Sequence, residues 1–82
     1  MKVPVIRQLF ENSTPEQLNT TLEVLEAFCE FRGVSEAEVD VAGEMITNIC
    51  GALEVHESVK NGLEPREALN AFSAKVIGSI DR

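Results

Sequence analysis

The chain has 82 residues, with 14 acidic side chains against seven basic ones, two cysteines and a formal net charge of −7. That length allows one domain, residues 1–82, near the size at which a single core supplies only about 3 to 5 kcal/mol of net stability. The composition argues against a nucleic-acid binder, which needs clustered Lys and Arg to displace counterions and would here demand a basic face assembled by a dimer from Lys2, Arg7, Arg66 and Lys75; no apolar run approaches the roughly 18 residues that a membrane span requires.

The acidity is uneven. Residues 16–57 hold ten acids against Arg32 alone, and the remainder holds four acids against six bases. Solubility is sufficient reason for such a surface, and a basic protein partner is the functional alternative. Two cysteines without a secretory leader point to a reducing cytosol, where both serve as small apolar core residues.

At the amino terminus, Pro4 argues against a strand over Lys2–Ile6 because it removes a ladder donor. Proline suits a first helical turn, so a short helix is expected from Pro4 to Glu11, with Val5, Ile6, Leu9 and Phe10 on one side. It either closes the core or forms an arm exchanged with a second subunit. Thr14, Pro15 and Gln17 then supply the cap, first residue and returning side chain of a capping box. That second helix is expected to run to Gly33. Leu18, Leu22, Leu25 and Cys29 line its inner stripe, while Val24 and Phe31 sit at the apolar edge, covered by the first helix or exposed for a partner.

Ser35 and Glu38 make a second capping box, with Val34 and Val39 placed as a hydrophobic staple. Lys60, Asn61 and Gly62 are stop signals. Ser35 to Asn61 therefore reads as one long central helix. Its expected inner face is wide, running through Val41, Ala42, Met45, Ile46, Ile49, Cys50, Ala52 and Leu53, and so meets more than one neighbour. Gly43, Thr47 and Gly51 stand four apart on the other side as a ridge of small residues. An interior glycine costs about 1 kcal/mol relative to alanine, so the ridge implies close approach by another backbone: a helix of this chain, a second subunit or a ligand, in that order. The last helix starts near Pro65, with Ala68, Leu69, Phe72, Val76 and Ile80 at helical spacing.

The fold class is all-α, a compact bundle of about four helices around one long central helix. The short connections favour antiparallel neighbours. Catalytic, metal and cofactor motifs are not found. His56, the single histidine, falls on the apolar stripe near a helix end, where it bonds a carbonyl or, in the functional alternative, senses pH or touches a ligand. Leu53 stands where a di-iron Glu-x-x-His motif needs Glu. Cys50 and His56 are six residues apart, about 120° around one helix, a poor nucleophile and base pair.

The opening K-V-P-V-I-R-Q-L and the segment I-T-N-I-C-G-A-L-E-V-H-E resemble a small bacterial family of about this length whose function is uncharacterised. The resemblance implies a stand-alone cytoplasmic protein and supplies no activity. The leading functional reading is a non-enzymatic interaction or accessory protein, homodimeric, with Gly43, Thr47, Gly51, Val24 and Phe31 as candidate interface residues. The alternative is a small-molecule-binding or redox-related accessory enzyme using His56 and Cys50.

Overall fold

Each of the two middle helices starts where its own sequence offers acceptors to free backbone donors. The computed structural model describes residues 2–80, with side chains through residue 76, so the side chains of Ile77 and Ile80 lie outside the described residues. Helix α1 spans Val3–Asn12, α2 Pro15–Phe28, α3 Glu36–Lys60 and α4 Pro65–Ile80, and there is no strand among the described residues. At the start of α2, the Gln17 N–H donates to Thr14 Oγ1 at 3.1 Å while Gln17 Oε1 accepts from the Thr14 N–H at 2.9 Å. At the start of α3, the Glu38 N–H donates to Ser35 Oγ, and Glu38 Oε1 accepts from the Ser35 N–H and hydroxyl at 3.0 and 2.9 Å. The Ser35 backbone donor, then its hydroxyl, hold the Glu38 carboxyl below the usual carboxylate range.

Helix α2 ends earlier than Gly33. The Glu30 N–H reaches back to the Ala27 carbonyl and the Phe31 N–H to that of Phe28, so the helix tightens into i to i+3 turns. Gly33 follows at φ +88°, and Gly62 after α3 at φ +111°. Both are left-handed positions that cost glycine little.

Helices α1, α2 and α4 each pack against α3, which runs unbroken for 25 residues. That is about 38 Å of helix, whereas the ten residues of α1 span about 15 Å. Where α1 lies on α3 is fixed at both ends by polar contacts. The Lys2 N–H, which has no cap of its own, donates to the buried Asn48 side chain at 3.0 Å, and His56 Nε2–H donates to the Ser13 carbonyl at 2.9 Å. Between these ties Ile6 sits over Gly51, where a Cβ would come within 2.8 Å of Ile6 Cδ1 and 3.0 Å of Phe72 Cζ from α4.

The small-residue ridge therefore divides. Gly51 is buried and approached by two helices of its own chain, so it is not available as an interface residue. Gly43 has no described atom within 4 Å of its Cβ position, and Thr47 is exposed with its hydroxyl bonded back to the Gly43 carbonyl. The inner face also differs from the one the apolar pattern indicates. Asn48, Gly51 and Val55 are buried with Ala42, Ile49 and Ala52, while Val41, Met45 and Cys50 are exposed. The reason is that α1 and α4 need a flat, narrow surface for close approach, which Gly51 and Ala52 provide and a row of bulky side chains does not.

Two outcomes are expected from these contacts. Gly43→Ala stabilises by about 1 kcal/mol through helix propensity. Gly51→Ala carries the same gain, but overpacking costs about 1 to 3 kcal/mol, so it is no more stable than the parent and Gly43→Ala exceeds it in denaturant melts. A larger gain for Gly51→Ala than for Gly43→Ala contradicts the seating of Ile6. The second concerns pH. A carboxyl held low in the folded state adds stability above the ordinary carboxylate range, and this is lost as pH falls through its folded value. Relative to Glu38→Gln, the parent therefore loses stability on acidification from neutral pH, and parallel melts of the two proteins across that range contradict the Glu38 cap.

Candidate functional site

One stripe of α3 carries Ala37, Val41, Met45, Asn48, Ala52 and Val55 at spacings of three and four, so all six share a face. Its carboxyl-terminal part is covered: Ala52 is 0% and Val55 1% exposed. Its amino-terminal part is open, with Val41 at 57% and Met45 at 46%. The change falls where α1 begins, beside Asn48. Beyond that point α2 is the helix whose described side chains flank α3, and the two helices form a groove of about 460 Å³.

Val24, Leu25 and Phe28 form the α2 wall of this groove, and Val41, Ala42 and Met45 the α3 wall. Glu38 is the one charged side chain lining it, and its carboxylate is turned to the Ser35 cap. Val24 is 61% exposed. Phe31, 58% exposed in the turn after α2, lies edge-on to Phe28 with ring centroids 6.2 Å apart and extends the apolar wall. Of the candidate interface residues read from the sequence, Val24 lines the groove and Phe31 adjoins it through Phe28, whereas Gly51 lies beneath α1 and α4 and Gly43 and Thr47 are not among the lining residues. Helical periodicity assigns Val41 and Met45 to the interior, because it registers that a side chain is apolar and cannot register which part of a helix face its neighbours reach.

His56 and Cys50 are not brought together. The His56 ring lies 4.5 Å from that of Phe10 and bonds the Ser13 carbonyl, so it closes the end of α1. The cleft of about 620 Å³ beside it is lined by Pro15, Glu16, Asn19, Leu53, Glu57 and Lys60, without Cys50. Cys50 is exposed rather than inside, and Cys29 is half-buried at the end of α2, so the core-filling role expected for both does not hold for Cys50. Among the described residues no group of three or more His, Cys, Asp or Glu side chains is placed to hold a metal ion, and no helix is long and apolar enough to cross a membrane.

The arrangement offers an apolar channel and no aligned nucleophile and base. Anything that filled it would desolvate exposed Val and Met side chains. No curated protein and no solved structure matches the chain. Residues 1–81 match the model of a Family of unknown function (DUF6952), and the chain belongs to that family.

Proposed function

We propose that this protein is a non-enzymatic helical interaction module whose contact surface is the groove between α2 and α3. The observation that carries the reading is the abrupt loss of cover along one face of α3, which leaves Val41 and Met45 exposed opposite Val24 and Phe28. Single exposed apolar residues are ordinary on protein surfaces, but a contiguous set in a concavity marks a place of association.

Self-association into a homodimer through this groove is a second reading that the same exposed side chains favour. A small-molecule or redox role for His56 and Cys50 gains no support from their placement, since one is bonded to the α1 end and the other stands in solvent. An exposed thiol that remains unbonded fits a reducing, cytoplasmic setting.

A photo-crosslinking side chain placed at Met45, compared with one at Glu57 on the exposed side of α3, tests the module reading in the source cells. Crosslinks from position 45 to a discrete protein, or to a second copy of this chain, are the expected result. No crosslink from position 45, or the same products from both positions, contradicts the groove as a contact surface.

A further inference from the structure

The occupant of the groove can be narrowed by shape and charge, on the reading that the groove is a contact surface at all. Its walls are ridges of two helices: Val24 and Phe28 stand four apart on α2, and Ala37, Val41 and Met45 stand four apart on α3. Side chains in such rows receive the ridge of another helix. The chain itself shows the fit, because α1 lies on the next part of the same α3 face with Ile6 inserted over Gly51. The open groove takes up where α1 begins.

The charge around the groove is negative. Glu38 lines it, the exposed Glu44 adjoins its α3 wall at Met45, and every charged side chain of α2, Glu16, Glu23 and Glu26, is an exposed acid. Among the described residues none of them has a cationic partner, the two ion pairs being Arg7 with Glu11 and Lys75 with Glu54. Arg32 is the single base of residues 16–57. Two copies joined groove to groove bring these acids together, and like-charge juxtaposition opposes the contact. Nor do the described residues hold a spare basic amphipathic helix: α1 and α4 are both already packed on α3, and Arg7 and Lys75 are paired.

We propose that the groove binds a basic amphipathic helix from another protein, with an apolar stripe at i, i+3, i+4 and i+7 between the Val24–Phe28 and Val41–Met45 ridges, and Lys or Arg side chains facing the acidic surface of α2 and α3 around Glu38 and Glu44. This is the helix-in-groove mode of recognition. The apolar stripe supplies the burial, and the surrounding acids set partner choice and salt dependence.

The test uses three synthetic helical peptides of about 18 residues, roughly 27 Å long: a Leu/Lys amphipath, the same composition scrambled to abolish the stripe, and a Leu/Glu amphipath. Binding to the full chain is followed by fluorescence anisotropy at several salt concentrations, with methyl shifts of Val24, Val41 and Met45 locating the site. The Leu/Lys amphipath is expected to bind at these methyls about tenfold or more tightly than either control, to weaken with salt, and to lose about tenfold in affinity to Val41→Asp, an exposed position where the fold is retained by circular dichroism. Equal binding by the scrambled peptide means attraction by charge alone and overturns the proposal. Equal or tighter binding by the Leu/Glu amphipath overturns the basic partner and leaves the groove as a contact surface. A parent that sediments as a dimer, with Val41→Asp monomeric, makes a second copy the occupant, which overturns this proposal but upholds the module reading. A monomer that binds none of the three peptides overturns the proposal, and the module reading falls as well only if the crosslinks from position 45 are also missing.

Discussion

The seat of α1 on α3 is the contact on which the other features of this fold depend. Three things hold it: Asn48 accepting from the Lys2 N–H, Ile6 fitted over Gly51, and His56 donating to the Ser13 carbonyl. The polar pair matters because a helix start and a helix end both leave backbone groups without partners, and here a side chain from the neighbouring helix answers one at each end of α1. Asn48 is buried, so its amide needs such a partner as much as the Lys2 donor does. Ile6, Ala52, Val55 and Phe72 then close into one core with Leu18 and Ile49, which joins all four helices.

The same seat explains the groove. A helix of ten residues covers less than half the length of one of 25, and since α1 starts at Asn48 its cover extends only toward the carboxyl end of α3. The other half of that face retains the apolar character of a core stripe, and among the described residues no helix buries it. In a chain whose core is small, leaving Val41, Met45, Val24 and Phe31 in water gives up hydrophobic stabilisation of the order of 1 to 2 kcal/mol each. A partner that fills the channel recovers it, and Glu38 and Glu44 place negative charge at the same end of α3.

Much of this architecture was legible from residues alone. The two capping boxes at Thr14 and Ser35, the prolines at Pro4, Pro15 and Pro65, and the glycine at Gly62 mark helix ends by local chemistry, and the four helices follow them closely. The long central helix and the exposure of Val24 and Phe31 were also within reach. What periodicity could not supply was which side of α3 is covered. Hydrophobicity places Met45 and Cys50 inside and Gly51 and Asn48 outside, yet close packing by α1 and α4 selects the small residues, and a hydrogen bond across 46 positions of sequence recruits Asn48. His56 stood out as an anomaly in an apolar stripe, and only the position of Ser13 shows that it is satisfied. The groove itself was invisible because it is defined by the end of a neighbouring helix rather than by any residue within it.

The most direct measurement of this account is the solvent exposure of individual methyl groups in the monomer, read by NMR as broadening from a soluble paramagnetic agent. Strong broadening at Val24, Val41 and Met45 with little at Ile6, Ile49 and Val55 is the result the account requires. Protection of Val41 and Met45 equal to that of Ile49 means that the groove is closed, and broadening at Ile6 means that α1 does not hold its seat on α3; either contradicts the account.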